Sequence, residues 1–144
     1  MKLDVGAVAK GYAVECIADA LEEKGITGYV INVGGNVRTI GPKADGTLWS
    51  VGIENPEGND YFAYLDLEGQ SVVTSGSYQR YYTVGGKRYH HIIDPDTLYP
   101  SRYFTSVSIL TEDSGLGDAL STALFCMPRE EGLLLLDKLR ENGM

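Results

Sequence analysis

Cysteine and histidine are scarce in this chain, with two of each among 144 residues. Cys16 and Cys126 fall in apolar helical patterns and form no Cys-x-x-Cys motif, so we expect buried free thiols and no disulfide framework. No apolar run has the length of a membrane span, and no signal peptide or lipidation motif is present. Basic residues are also few: 12 against 20 acidic ones give a net charge of −8, which argues against nucleic acid or an anionic membrane as partner.

What the chain does contain is typical of a folded domain with its own core. Hydrophobic residues make up 43% and aromatic residues 10% of the sequence, and the length suits a single domain over residues 1–144. The 18 glycines predict many tight turns, or places where the backbone approaches a ligand closely. An anionic ligand would need a metal ion or backbone N–H groups to offset the acidic field.

Hydrophobic periodicity predicts one helix, several short strands and two closing helices. The first helix runs from Val8 to Leu21 and stops at Gly25. Gly85-Gly86 predicts a two-residue hairpin whose return strand carries both histidines. This order predicts an α+β domain with a mainly antiparallel sheet and flanking helices. The predicted strands cover residues 29–33, 37–40, 48–53, 61–67, 72–76, 81–84, the return strand from 87, and 105–110; the closing helices cover 116–127 and 130–141, separated by Pro128.

The segment from Tyr89 to Pro95 holds the two histidines side by side. In a strand the side chains alternate, so His91 and Ile93 would lie on one face and His90 and Ile92 on the other. An imidazole is the side chain best suited to take a proton near neutral pH. The alternative is that one histidine is exposed and the other is a hydrogen-bonded core residue without chemistry.

Asp118 and Thr122 are four residues apart in the first closing helix, so they share one helix face. A carboxylate and a hydroxyl among small residues suit Mg²⁺, which takes one or two protein oxygens and completes its octahedron with phosphate and water. Two other interpretations stay open: Asp118 as a first-turn residue that stabilises the helix dipole, and Thr122 as a hydroxyl bonded to its own helix backbone.

Small residues mark two further places where a ligand could approach the backbone. Gly6-Ala7 precede the first helix, and a helix N-terminus can offer N–H groups to a phosphate, with Lys10 either contacting the anion or lying solvated at the surface. Gly34-Gly35 end a strand, which favours either close approach of a bulky ligand or a plain turn.

Six blocks of the sequence, taken in order over nearly the whole chain, resemble the C-terminal portion of the ApbE family, the FAD:protein FMN transferases. The resemblance implies an ApbE-like (T-fold-like) α+β fold that is part of a longer architecture, whose N-terminal half is not in this chain. The blocks are residues 4–13 (DVGAVAKGYA), 32–36 (NVGGN), 49–56 (WSVGIENP), 74–81 (TSGSYQRY), 91–95 (HIIDP) and 117–124 (GDALSTAL).

The resemblance also implies an activity: with Mg²⁺, the enzyme moves the FMN part of FAD onto a Ser or Thr hydroxyl of an acceptor protein and releases AMP. It assigns catalysis to His91, with His90 as a bystander, and metal binding to Asp118, Thr122 and the backbone carbonyl of Ala7. Flavin-nucleotide binding is assigned to Lys10, Gly34, Gly35, Asn36, Ser75, Gly76, Ile92 and Asp94.

The chain departs from the family pattern at two residues. Asn36 stands where many members carry Asp, and Leu98 stands where the loop usually has Gly, which predicts a changed loop conformation because Leu tolerates positive φ poorly. Two alternatives to transfer stay open: an FAD pyrophosphatase, in which water replaces the acceptor hydroxyl, and a flavin-binding module without turnover. The resemblance suggests a periplasmic or extracytoplasmic, membrane-anchored full-length form, and leaves open the acceptor protein and whether the chain forms a homo-oligomer.

Overall fold

The computed structural model describes residues 3–143. Within them the chain order is one helix, eight strands and two helices. The elements are α1 (Ala9–Glu22), β1 (Tyr29–Val33), β2 (Asn36–Ile40), β3 (Trp49–Glu54), β4 (Tyr61–Leu67), β5 (Ser71–Gly76), β6 (Tyr81–Val84), β7 (Lys87–His90), β8 (Ser106–Thr111), α2 (Ser114–Phe125) and α3 (Arg129–Glu141).

The main sheet has four strands in the order β1-β2-β5-β8, and every pair in it is antiparallel. β1 and β2 are joined by Gly34 and Gly35, whose φ angles of 51° and 89° form a two-residue turn that a β-carbon would strain. β3–β4 and β6–β7 are separate antiparallel hairpins. The predicted α+β class with a mainly antiparallel sheet is therefore confirmed.

The two faces of the main sheet pack against different partners. Along β5, alternate side chains face α2: Ser71 bonds Ser114, and Ser75 bonds Ser121. The intervening Val72 faces the β3–β4 hairpin and joins its buried apolar cluster. The side-chain period of two thus directs Ser71, Val73 and Ser75 towards α2, and Val72 and Thr74 towards the hairpin. The apolar cluster contains Val51, Leu67 and Val72, with Val37, Ile53 and Leu65 packed around it.

α1 packs against α2 through a narrow stripe. Its buried residues are Gly11, Val14 and Ala18, each about one turn from the next. Because the stripe is narrow, Cys16 lies on the exposed side of α1, so the expectation that both cysteines are buried is wrong for Cys16. Cys126 is half-buried, and both thiols are free as expected.

The closing helices follow the predicted pattern with one shift. α2 begins at Ser114, two residues earlier than predicted, because Asp113 caps it by accepting a hydrogen bond from the Leu116 N–H at 2.8 Å. Pro128 precedes α3 as its N-cap, where a proline does not interrupt the helix. No helix among residues 3–143 combines the length and the apolar character needed to cross a membrane.

Candidate functional site

The start of α1 is pressed against the start of α2. A β-carbon at Gly11 would overlap the carbonyl group of Ser114, so only glycine allows the two helices to approach this closely. The Glu15 carboxylate, one turn further along α1, accepts the N–H of Ser114 at 2.5 Å. These contacts bring the residues around Lys10 onto the side of α2 that carries Asp118.

Asp118 is a buried carboxylate, with 1% of its surface exposed. Its Oδ1 accepts a hydrogen bond from the Lys10 ammonium at 2.8 Å, and its Oδ2 accepts the Gly11 N–H at 2.9 Å. Since α2 starts at Ser114, the first turn contains no acidic residue and Asp118 lies in the second turn. The alternative that Asp118 stabilises the helix dipole from the first turn is therefore wrong, and Asp113 occupies that end instead.

The Gly11–Asp118 bond has a consequence for Ala7. In a regular helix the Gly11 N–H would donate to the carbonyl four residues earlier, which belongs to Ala7. Here that N–H is directed at Asp118, and among residues 3–143 no backbone N–H donates to the Ala7 carbonyl. Within the described residues the Ala7 carbonyl thus lacks a backbone donor and could accept another partner.

Three hydroxyl groups meet between β5 and α2. The Ser75 Oγ lies 2.9 Å from the Ser121 Oγ and 3.2 Å from the Thr122 Oγ1. Ser121, and not Thr122, bonds back to its own helix by donating to the Asp118 carbonyl at 3.1 Å. The hydroxyl of Thr122 therefore faces Ser75, one turn beyond Asp118 on the same side of α2.

The double-glycine turn lies beside Lys10. A β-carbon on Gly34 would come 3.9 Å from Lys10 Cδ, and one on Gly35 would come 3.1 Å from the Thr74 carbonyl. Asn36 follows the turn with its side chain fully enclosed; its Nδ2 donates to the Ser114 carbonyl at 3.3 Å, and its Oδ1 has no hydrogen-bond partner in the described part of the chain. Asn36 could touch a nucleotide only if its neighbours moved.

The two histidines differ in environment and in tautomer. His90 Nδ1 accepts the Ile92 N–H at 3.3 Å, so Nε2 carries the proton and donates to the Ser101 carbonyl at 2.7 Å. The His90 ring also packs edge-on against Phe125, with centroids 5.6 Å apart. His90 is thus the hydrogen-bonded, half-buried histidine that the alternative interpretation described for one member of the pair.

His91 is exposed, and its Nδ1 lies 3.4 Å from the Arg80 carbonyl. A carbonyl can only accept, so this long contact favours Nδ1–H and leaves Nε2 free to take a proton. The prediction that the return strand carries His91 is wrong by one residue, because β7 ends at His90. The alternation continues beyond the strand nevertheless: Ile92 is buried, whereas His91 and Ile93 are exposed.

The loop after His91 is held by a hydrogen bond within the loop and by one from Cys126 at the end of α2. The buried Asp94 carboxylate accepts the Asp96 N–H at 2.9 Å, and the Cys126 thiol donates to the Ile93 carbonyl at 3.7 Å. Burial, and next the charge of Asp94, raise the pKa of Cys126. Leu98 has a φ of 59°, so the loop adopts the left-handed conformation that glycine favours, and the predicted change of loop conformation is not found.

One face of α2 connects all of these groups. Residues 118, 122 and 125 are spaced as i, i+4 and i+7, and they contact Lys10, Ser75 and His90 respectively. At 1.5 Å per residue this row is about 10 Å long. The acid–hydroxyl pair and the His90 ring therefore lie along the same side of α2, with His90 about one turn beyond Thr122. His91 follows His90 in the chain, and its side chain is exposed.

A cleft of about 320 Å³ lies on the other face of the main sheet, beneath the β3–β4 hairpin. Gly35 and Gly76 line it, whereas Ser75 points through the sheet towards α2. The predicted binding residues Ser75 and Gly76 are therefore adjacent in sequence but open to opposite faces. Aromatic and polar side chains complete the cleft, including Trp49, Tyr61, Tyr78, Asn32 and Gln79.

Sequence reasoning did not identify Gly11, Glu15 and Ser121 as parts of this site. The sequence does contain a signal for Gly11, because glycine inside a helix costs about 1 kcal/mol relative to alanine and so indicates a packing requirement. Ser121 adjoins the predicted metal ligand Thr122 in the same block. Nothing in the sequence around Glu15 predicts that it contacts Ser114.

The chain is similar to known proteins over almost its whole length. The model of the ApbE family matches residues 1–143. The FAD:protein FMN transferase of Klebsiella pneumoniae is 40% identical over 139 residues, which cover 94% of this chain and 42% of that protein. The FAD:protein FMN transferase of Treponema pallidum is 38% identical over 147 residues, covering 94% of this chain and 41% of its own length.

Solved structures show the same fold. The ApbE protein of Thermotoga maritima superposes with a TM-score of 0.87 at 43% identity, over 97% of this chain and 46% of its own. The flavin transferase ApbE of Vibrio cholerae superposes with a TM-score of 0.77 at 32% identity, over 92% of this chain and 42% of its own. The chain thus spans less than half the length of these relatives. The match of the family model, supported by these similarities, shows that the chain belongs to the ApbE family.

Proposed function

We propose that this chain forms the catalytic part of a Mg²⁺-dependent FAD:protein FMN transferase. FAD is the donor, a Ser or Thr hydroxyl of another protein is the acceptor, and AMP is the product. The observation that carries the proposal is the row of groups along α2, where a buried carboxylate, a hydroxyl pair and the half-buried His90 lie on one side of the helix, with the exposed His91 next to His90 in the chain. The relatives named FAD:protein FMN transferase support it.

The donor set of this row fits magnesium. Asp118 and Thr122, with the free carbonyl of Ala7, are oxygen donors, which Mg²⁺ prefers. No group of three or more His, Cys, Asp or Glu side chains in the described residues could hold a metal ion, so the site would depend on one carboxylate together with phosphate and water. The Lys10 ammonium at Oδ1 indicates that this oxygen accepts a cation. When bound, Mg²⁺ would neutralise charge on the non-bridging phosphate oxygens of FAD.

The remaining chemistry needs a base and a second positive group. The acceptor hydroxyl oxygen attacks the phosphorus of the FMN part, the bond from that phosphorus to the oxygen of the AMP phosphate breaks, and AMP departs with that oxygen. The hydroxyl proton passes to Nε2 of His91, a role worth typically about 10²–10⁴ in rate. Lys10, with 37% of its side chain exposed, can contact the departing phosphate from its place beside the Gly34 turn.

To test this proposal, the chain is incubated with FAD, Mg²⁺ and a flavin-acceptor domain. The mass of the acceptor and the amount of AMP released are then measured. We expect one FMN per acceptor for the unaltered chain. His91→Ala should lower the transfer rate at least about 100-fold because the proton acceptor is gone, while FAD binding stays unchanged. Asp66→Asn, an exposed change on the distant β4 strand, is the matched control and should keep full transfer.

Each alternative has its own outcome. AMP release without labelled acceptor would indicate an FAD pyrophosphatase, because water would have replaced the hydroxyl. FAD binding without AMP would indicate a binding module. Full transfer activity in the His91→Ala chain would refute His91 as the base.

A further inference from the structure

The distribution of charge along the chain is strongly uneven. From Gly69 to Ile93 there is no Asp or Glu, although the whole chain has 20 of them. The same stretch contains Arg80, Lys87 and Arg88. A segment with three positive charges is therefore carried by a protein whose net charge is −8.

This stretch includes the β6–β7 hairpin, which is the most exposed pair of strands. Every residue of β6 is exposed, and β7 becomes half-buried only at Tyr89 and His90. Both strands pair with each other and, within residues 3–143, with no other strand, so each leaves one edge open. Strands of four residues are about 13 Å long, which exceeds the screening length of about 8 Å at physiological salt. The outer part of the hairpin is thus screened from the acidic body.

The side chains of the hairpin are ordered on both faces. Tyr82 and Tyr89 are directly opposite in register and stack with ring centroids 5.4 Å apart. On the other face the Arg88 guanidinium lies 4.6 Å from the centre of the Tyr81 ring. The face of the stacked tyrosines also carries Lys87, and the exposed His91 follows β7 directly. The hairpin therefore carries cationic and aromatic side chains on both faces, and the face with Lys87 and the stacked tyrosines is followed by the proposed base.

We propose that the β6–β7 hairpin is the docking surface for the acceptor protein, and that it binds an extended, acidic segment on either side of the modified Ser or Thr. This inference rests on the proposed function, because the segment must bring its hydroxyl to His91. Charge complementarity selects an acidic segment, and an open strand edge can pair with an extended backbone. Tyr82 and Tyr89 supply the rigid apolar contact that charge alone does not give.

The test measures binding apart from chemistry. Two short fluorescent peptides, each with a single threonine, carry either flanking aspartates or the matching asparagines, and their binding to the chain without FAD is followed by fluorescence anisotropy. We expect the aspartate peptide to bind more tightly, and its affinity to fall steeply with added NaCl. The double variant Lys87→Glu/Arg88→Glu should weaken its binding about ten-fold, because two attractions become repulsions.

The matched control is Lys24→Glu/Lys138→Glu, which makes the same change of net charge at two exposed residues outside the hairpin. It should change peptide affinity less than about two-fold, because screening removes distant charge effects. Equal binding of both peptides, salt-independent binding of the aspartate peptide, or an equal loss in the control would overturn the docking surface. So would a loss of self-association caused by the hairpin change, which would make the hairpin an interface between copies of the chain.

A kinetic measurement separates this inference from the proposed function. The hairpin variant should raise the KM for the acceptor domain while kcat for FMN transfer stays unchanged. A chain that binds the aspartate peptide selectively but never transfers FMN would refute the proposed function and leave the docking surface standing. If the unaltered chain and the hairpin variant transfer FMN with the same KM for the acceptor domain, the docking surface is refuted and the proposed function is not.

Discussion

The two faces of the main sheet differ in how many polar side chains they bury. The hairpin-facing side is an apolar cluster around Val51, Leu67 and Val72. The helix-facing side buries polar groups beside apolar side chains such as Val73 and Phe125, and most of the fully buried polar side chains of the described residues are found there. These are Asn36, Ser71, Ser114, Asp118 and Ser121.

The contrast separates the residues that stabilise the fold from those available for chemistry. Each apolar side chain contributes roughly 1.5–3 kcal/mol when it is buried, whereas a buried polar group breaks even only if it is hydrogen-bonded. The polar groups of the helix-facing side, most of which have hydrogen-bond partners, therefore add little to the stability. We interpret these polar groups as a preorganised site, held in place by the apolar side chains on both faces of the sheet.

The largest expected effect tests how closely the polar face is packed. Gly11→Ala places a β-carbon where the Ser114 carbonyl stands, so α1 must move and the N–H bond to Asp118 is lost. Helix propensity alone would make the alanine variant about 1 kcal/mol more stable. A lower free energy of unfolding would therefore show that the packing contact outweighs propensity. We expect the free energy of unfolding in urea to fall by about 3 kcal/mol.

The control for this substitution lies on the exposed side of the same helix. Ala13→Gly should lower the free energy of unfolding by about 1 kcal/mol through propensity alone. If Gly11→Ala were as stable as the unaltered chain, the contact between α1 and α2 would be looser than the structure indicates.

A smaller effect tests the charge pair on the polar face. Lys10→Met leaves the buried Asp118 carboxylate without its cationic partner. Removing one partner of a fully buried ion pair lowers the free energy of unfolding by about 3–5 kcal/mol. Because Lys10 is partly exposed, we expect a loss of about 2 kcal/mol here. If Asp118 binds Mg²⁺, millimolar MgCl₂ should reverse much of the decrease in melting temperature that Lys10→Met causes, because a ligand that binds the folded state stabilises it.

A substitution on the apolar face provides the control for this rescue. Leu67→Ala should lower stability by about 2–4 kcal/mol through the cavity it leaves, and MgCl₂ should not restore it. Equal magnesium effects on both variants would refute the proposed role of Asp118 in metal binding.

The sequence predicted the parts of this molecule that depend on local pattern. Apolar periodicity located the helices and strands, and Gly85-Gly86 located the β6–β7 hairpin, because the residues that favour a turn are adjacent in the sequence. The i, i+4 spacing correctly put Asp118 and Thr122 on one helix face. Alternation also separated the exposed His91 from the half-buried His90, although the strand ends between them.

Contacts between distant segments could not be predicted in the same way. Gly11 and Asp118 are 107 positions apart, and Glu15 and Ser114 are 99 apart, so no local period relates them. The division of Ser75 and Gly76 between two faces also depends on which elements cover each side of β5. Both kinds of fact follow from tertiary packing, which a single sequence does not specify.

The smallest expected effect concerns strain outside both faces of the sheet. Leu98 holds a φ of 59° while its side chain is 76% exposed, so its conformation costs free energy that no packing contact offsets. Leu98→Gly should raise the free energy of unfolding, but by less than about 1 kcal/mol, because glycine also gains entropy in the unfolded chain. The neighbouring Thr97 has an ordinary φ, so Thr97→Gly should instead lower the free energy of unfolding, by about 1 kcal/mol or less. Opposite signs in urea unfolding would locate the strain at Leu98, whereas equal losses would show that the loop is unstrained and that its hydrogen bonds to Asp94 suffice to set its shape.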